Sequence, residues 1–310
     1  MSMKKIVVVG SLNMDYDIAV ERIPVPGETV LGKNFTLVPG GKGANQAYTI
    51  GKLENTVSMI GAVGKDKDGD ILVSNLKEVG VDTTGIERVE AHTGTAFIQI
   101  DSKGENNIVV ISGANYEVSD EMITRHQAIL QEADIVVMQL ELPIPVVTKV
   151  AMWAKENGKM VILDPAPAKE NLPQELIQSC DMIKPNETEL SILTGMPTGS
   201  KEEVILAAKA LLAKGPQMVI VTLGGKGSIL VTKEKEKSFS ALEVPVLDTT
   251  AAGDSFTGAL AVALGQGQEI EEAITYAHLV SSIVVMKKGA QSSIPTKKEV
   301  EEFLRKTKED

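Results

Sequence analysis

The stretch Asp248-Thr249-Thr250-Ala251-Ala252-Gly253-Asp254 sets two carboxylates on either side of a run of small residues, with Asp248 expected to end a strand. Phe256, Leu260 and Leu264 follow at i, i+4 and i+8, which marks a helix with one apolar face. Ala251-Ala252-Gly253 is then a turn offering free backbone N–H groups at the helix N-terminus, where the helix dipole favours an anion. Asp254 falls in the first turn and is expected to be an ionised carboxylate, while Gly253 lets a ligand approach the backbone closely. Amides that hold developing charge, beside a carboxylate that takes a proton, suit transfer of a phosphoryl group to an alcohol. A plain Asp near an N-cap is the commoner arrangement, and the Ala-Ala-Gly lead distinguishes this one.

A second segment, Pro39-Gly40-Gly41-Lys42-Gly43-Ala44-Asn45-Gln46-Ala47, opens another helix. It lacks the GxxxxGK[ST] spacing of a P-loop, and no GxGxxG follows a strand. Three glycines around a lysine and an asparagine fit close backbone approach to a polyhydroxyl ligand, with Asn45 both donor and acceptor. A flexible turn before a helix carries equal weight on these residues alone. Gly224-Gly225-Lys226-Gly227 lies between two strand-like runs and would serve as a backbone wall for a nucleotide or as an ordinary tight turn. His92, His126 and His278 show no metal-ligand spacing, and neither a Ser-His-Asp arrangement nor HExxH is visible. His126, in a polar helical stretch, reads as solvated, and the methionines, Met152 among them, as core.

The elements that must position these groups alternate along the chain. Apolar runs at 5–9, 57–60, 135–139, Met160–Leu163, Met182–Ile183 and Met218–Thr222 are hydrophobic throughout, as expected of parallel strands covered on both faces. Amphipathic segments separate them, with Leu72, Leu76 and Val79, and then Val204, Ala208, Leu211 and Leu212, at helical spacing. This rhythm predicts a single α/β domain over 1–310 built on a right-handed, doubly wound, mostly parallel sheet flanked by helices. Ligands of such sheets bind beyond the carboxyl ends of the strands. Asn13 and Asp15 follow the first run there, Glu141 follows 135–139, and Asp164 follows Met160–Leu163. Asn186, Glu187 and Glu189 follow Met182–Ile183, and Thr222-Leu223-Gly224 closes Met218–Thr222. Two stretches break the rhythm. Residues 14–38 hold short strand-like pieces (Ile18-Ala19-Val20, Thr29-Val30-Leu31 and 35–38) split by Pro24, Pro26 and Gly27, and 93–112 reads as a hairpin turning at Ser102-Lys103-Gly104-Glu105. Together they suggest a small second sheet, a candidate lid, unless they are ordinary surface hairpins.

Composition narrows the partners. The chain has 310 residues with 43% hydrophobic and 24% charged, a globular balance that excludes disorder as the dominant state. Aromatics are 3%, so a base-stacking nucleic-acid surface is unsupported. A net charge of −11 without a basic cluster makes nucleic acid and anionic membrane poor partners. Cys180 stands alone, which rules out an internal disulfide and a thiolate zinc site and fits a reducing compartment. The apolar start, Ile6-Val7-Val8-Val9, is too short for a signal-peptide core or a membrane span, so a cytoplasmic location is expected.

These segments resemble the ribokinase family of carbohydrate kinases. Gly40-Gly41-Lys42-Gly43-Ala44-Asn45-Gln46-Ala47 matches the family's first signature, Asp248-Thr249-Thr250-Ala251-Ala252-Gly253-Asp254 its second, and Asn186-Glu187-Thr188-Glu189 its NxxE motif. The likeness runs from Gly10-Ser11-Leu12-Asn13-Met14-Asp15 to Gly289-Ala290-Gln291-Ser292-Ser293. It implies ATP-dependent phosphorylation of the ribose 5-hydroxyl, with Mg²⁺, activation by K⁺, and a homodimer in which two lids clasp. By resemblance Asn13, Asp15, Gly41, Lys42, Gly43, Asn45 and Glu141 match sugar contacts, Asp254 the base, and Ala251, Ala252 and Gly253 the anion hole. Asn186, Thr222, Leu223, Gly224, Gly225, Lys226, Gly227, Gly253 and His278 match nucleotide positions, and Glu189 the carboxylate that organises Mg²⁺ and phosphate. Asp248, Thr250, Val284, Lys287, Gly289 and Ser293 match the K⁺ site, a set with one formal charge, too few for Mg²⁺ or Ca²⁺. Two alternatives stay open. One is a kinase for 2-deoxyribose, fructose or a nucleoside, although the polar groups of Asp15, Lys42, Asn45 and Glu141 favour a pentose. The other is a non-catalytic sugar sensor, against which the Gly253-Asp254 pair speaks.

Overall fold

The computed structural model describes residues 3–309. In chain order the first half comprises β1 (Ile6–Val9), β2 (Asn13–Ala19), β3 (Asn34–Gly40), α1 (Lys42–Lys52), β4 (Val57–Gly64), α2 (Lys67–Glu78) and β5 (Asp82–Val89). There follow β6 (Gly94–Ile100), β7 (Asn106–Ile111), α3 (Asp120–Arg125), α4 (Gln127–Glu132), β8 (Ile135–Met138) and α5 (Ile144–Glu156). Next come β9 (Met160–Leu163), α6 (Gln174–Ser179), β10 (Met182–Ile183), α7 (Glu187–Thr194), α8 (Lys201–Leu212) and β11 (Met218–Thr222). The chain closes with β12 (Ser228–Thr232), β13 (Glu236–Phe239), α9 (Ala252–Gly265), α10 (Ile270–Val285) and α11 (Lys297–Glu309).

Nine strands form one sheet in the order β13-β12-β11-β10-β9-β8-β1-β4-β5. Pairing is parallel from β5 to β11, and only the β11–β12 and β12–β13 pairs at one edge are antiparallel. The uniformly apolar strands have a direct cause. Val7 and Val9 of β1 point into one core and Ile6 and Val8 into another, because helices cover both faces. Strand β5 escaped the apolar-run criterion, since this edge strand carries Asp82, Thr84, Glu87 and Arg88 on its exposed or half-exposed positions.

The two irregular stretches pair with each other as a four-stranded sheet in the order β3-β2-β6-β7. Thr29-Val30-Leu31 is not a strand: it lies in the irregular link between β2 and β3, where Leu31 is almost wholly exposed and has no strand to pair with. Nor does a strand lead into Asp248. Residues 240–247 are irregular, and the Leu247 and Asp248 amides go to the Val285 carbonyl at the end of α10. His126 is half-buried rather than fully solvated. It joins α3 to α4 and meets Glu87 of β5 at 3.0 Å.

Candidate active site

The carboxyl ends of β1, β8, β9, β10 and β11 lie along one edge of the main sheet, and the N-termini of α1 and α9 converge on it. Two glycines allow the α1 approach. Gly41 caps the helix at φ +86°, and a Cβ on Gly43 would lie 2.5 Å from the Ser11 amide nitrogen just past β1. The start of α1 therefore rests directly on the end of β1. The Lys42 amide donates to Glu141 at 3.0 Å, and the Ser11 hydroxyl donates to the same carboxylate.

Asp254 is buried in the first turn of α9. Asn45 Nδ2 donates to its Oδ2 at 2.9 Å and Gln46 Nε2 to its Oδ1 at 3.2 Å. Its surroundings differ from those of an exposed aspartate. Burial pushes the Asp254 pKa up, and Asp164 adds to the rise, against the pull of the Lys42 ammonium and the Asn45 hydrogen bond. The result is a stronger base than a free aspartate, drawn toward working pH. Asp254 in turn is the largest influence holding the Lys42 pKa up, so this lysine stays charged despite its own burial. Asp15 is pushed up to about 7, first by burial and then by Asp17, Glu141 and Asp254. Burial likewise raises Glu141. Asp15, Lys42, Asn45, Glu141 and Asp254 thus share one polar chamber. Asn13 stands beside it, its Oδ1 accepting from Asn115 Nδ2 at 2.7 Å.

Ala251 takes the left-handed conformation, φ +58°, and closes a tight turn into α9. One consequence departs from expectation. The Ala252 N–H is engaged by the Thr249 carbonyl at 3.2 Å, so the amides of this turn are not all free. Gly253 lines a neighbouring cleft of about 520 Å³ together with Asn186, Thr222, Gly224, Gly225, Gly227 and His278. Leu223 packs against the core instead, and Lys226 of the same turn is outside the lining. The apolar wall comes from Leu242, Val244 and Val246 of the irregular segment and from Phe256, which meets His278 edge-on at 5.0 Å. His278 is bonded to the Ser228 hydroxyl at 2.8 Å, and burial lowers its pKa to about 4, so it is neutral. Asn186 and Glu189 hold each other in a capping box at the start of α7, and burial, then Asp164, raises the Glu189 pKa.

Behind Ala251, Asp248 gathers its own loop. Its carboxylate accepts from the Thr250 amide and hydroxyl at 2.9 and 2.6 Å and from the Gly289 amide at 2.9 Å. Burial opposes ionisation of Asp248, but these hydrogen bonds outweigh it and hold the pKa down. The Val284 carbonyl receives the Lys287 amide at 3.0 Å, and the Ser293 hydroxyl donates to the Ala290 carbonyl at 2.7 Å.

Several residues here have no role in the sequence reading. Lys184, directly after β10, pairs with Asp164 at 3.0 Å and reaches the Gly253 carbonyl at 3.3 Å, with both side chains almost fully buried. Gln46, Gln139 and Gln291 form amide contacts around Asp254 and Asn45. A charged residue at the end of an apolar strand was the signal that put Asp164 on this edge, and the same signal was available for Lys184. Nothing local distinguishes the glutamines.

Residues 3–297 match the pfkB family of carbohydrate kinases. A ribokinase of Haemophilus influenzae is 41% identical over 97% of this chain and 98% of its own length. A deoxyribokinase of Salmonella typhi is 37% identical over 96% of this chain and 98% of its own. The structure of an Arabidopsis thaliana ribokinase complexed with ribose and ATP superposes with a TM-score of 0.91 at 37% identity, covering 98% of this chain and 99% of that one.

Proposed function

The chain belongs to the pfkB family of carbohydrate kinases, and we propose that it transfers the γ-phosphoryl group of ATP to the 5-hydroxyl of D-ribose. One observation carries this reading. Gly253 lines the apolar-walled cleft while its neighbour Asp254 is bonded to Asn45 in the polar chamber, so one helix N-terminus joins the two compartments. A sugar held by Asn13, Asp15, Gly41, Lys42, Gly43, Asn45 and Glu141 would bring its hydroxyl to Asp254. ATP held by Asn186, Thr222, Gly224, Gly225, Gly227 and His278 would bring its γ-phosphate to the Ala251–Ala252–Gly253 turn. Asp254 accepts the hydroxyl proton, the oxygen bonds to phosphorus, and the bond to the bridging oxygen of ADP breaks. Lys42, charged beside the reacting groups, and the α9 N-terminus offset the negative charge gathered there.

Among the described residues no group of three or more His, Cys, Asp or Glu is gathered to hold a metal ion. That suits Mg²⁺ arriving on the nucleotide, since it is commonly held by one or two carboxylates plus substrate phosphates. Glu189 is the carboxylate that would face it, and the ion would supply charge neutralisation on the phosphates. The single-carboxylate set of Asp248 with carbonyls near Thr250, Val284, Lys287 and Gly289 and the Ser293 hydroxyl fits K⁺. No helix among the described residues is long and apolar enough to cross a membrane. With its one buried cysteine the enzyme is expected to work in the cytoplasm.

A second reading, 2-deoxyribose as acceptor, is favoured by the identity with the Salmonella enzyme. ADP release measured against ribose, 2-deoxyribose, fructose and a nucleoside separates the two. Ribose should give the highest kcat/KM, and a higher value for any other acceptor overturns the assignment.

A further inference from the structure

We propose that Gln46 is a positioning residue for phosphoryl transfer, holding the Asp254 carboxylate in its proton-accepting orientation, and that Gln139 acts on the reaction only through Gln46. The proposal rests on Asp254 serving as the base.

Gln46 is fully buried on α1, and its Nε2 lies 3.1 Å from Asp164 Oδ2 and 3.2 Å from Asp254 Oδ1. Two carboxylates cannot share an amide oxygen, so the NH₂ group must face them, one hydrogen to each. The Gln46 oxygen then points away, where Gln139 Nε2 donates to it at 2.6 Å. Gln139 is also buried, just past β8. Reversing the Gln46 amide would break all three contacts at once, so Gln139 locks its orientation.

The far carboxylate is itself fixed. Lys184 holds Asp164 Oδ2 at 3.0 Å and the Thr257 hydroxyl donates to it at 3.1 Å. Gln46 therefore ties Asp254 to an anchored group rather than to a mobile one. Without that amide the two carboxylates would face each other, and Asp254 would turn toward Lys42, away from the hydroxyl it must deprotonate.

Gln139 shows a cost that calls for a reason. Its Oε1 is buried with no hydrogen-bond partner among the described residues. A Cβ on Gly10 would come within 2.1 Å of that oxygen, so the end of β1 is cut back to make room for it. A buried acceptor left unsatisfied is destabilising, and keeping a glutamine here is explained by its Nε2 being needed on Gln46.

The test measures kcat and both KM values for Gln46→Met, Gln139→Met and the double variant, in which methionine keeps length and removes the donor. Gln46→Met should lower kcat by about 10- to 100-fold, the effect of a misplaced reacting group, with KM for ribose and ATP within about twofold of wild type. Gln139→Met should lower kcat less, and the double variant should be no slower than Gln46→Met alone. Multiplying effects, a rise confined to KM, or a Gln46→Met kcat within about twofold of wild type would each overturn the proposal. If Gln46→Met does not fold by circular dichroism, Gln139→Met decides: an unchanged kcat overturns it and a lowered kcat at constant KM supports it. A wild type inactive on every sugar defeats the kinase reading and this proposal with it, whereas an active wild type with indifferent variants defeats this proposal alone.

Discussion

Burial at Asp254 has a cost and a use: it penalises the anion and makes the group a stronger base. Replacing it with Asn keeps the shape and an acceptor for only one of its two amide donors, Asn45 and Gln46, and removes the proton acceptor. Asp254→Asn should bind ribose and ATP with near-normal affinity by calorimetry while turnover falls about 10²–10⁴-fold. Retained turnover would remove Asp254 from the role. Asp15 gives a second handle at this scale, because burial and its acidic neighbours lift it to about 7. Its raised pKa means that the charged form disappears as pH falls through about 7, and with it the better acceptor for sugar hydroxyls. The ribose KM should therefore rise with falling pH, by up to about tenfold per pH unit below 7, with little change in kcat. Asp15→Asn should have a high KM that is flat over the same range. A wild-type KM independent of pH would mean that Asp15 does not hold the sugar.

At the scale of elements, the loop before α9 depends on partners far away in the chain. Asp248 reaches Gly289, 41 residues on, and the Leu247 and Asp248 amides both use the Val285 carbonyl. This joins the turn at Ala251 to the end of α10, so an ion held there would stiffen the turn without touching substrate. Potassium should raise kcat or lower the sugar KM, and lithium or a bulky organic cation should do so much less at equal ionic strength. Asp248→Ala should abolish that response and leave the circular dichroism spectrum unchanged. Equal rates in potassium and in the organic cation after dialysis would leave Asp248 as a loop brace only.

On the scale of the whole molecule, the four-stranded sheet leaves apolar residues on view. Phe35, Leu37, Phe97 and Val109 are exposed on one face and Ile108 and Val110 on the other, and β7 offers an unpaired edge along its length. Such a surface is costly in water and is expected to be covered by a second copy, lid against lid. Sedimentation at micromolar concentration should report about 66 kDa, twice the 33.0 kDa chain. Ile108→Glu should shift the species toward the monomer, and a strictly monomeric, fully active wild type would refute the clasp.

The sequence by itself determined whatever is local. Apolar runs under helices on both faces cannot alternate, so the parallel strands announced themselves, and contiguous small residues at 251–253 marked a helix N-terminus. The pairing of the two insertions was legible as well, since each carried strand patterning out of step with the βα rhythm. Tertiary structure alone decided which distant groups meet. Gln46 and Gln139 look like unremarked polar residues until the register of β8 against β1 brings them together, 93 positions apart. Lys184 and Asp164 become a buried pair only because β9 and β10 lie side by side. Asp248 was misread as the end of a strand, since Leu242, Val244 and Val246 line a cleft rather than pair in a sheet. The raised pKa of Asp254 was out of reach of the sequence for the same reason. Desolvation depends on everything packed around a carboxylate, and no window of sequence contains it.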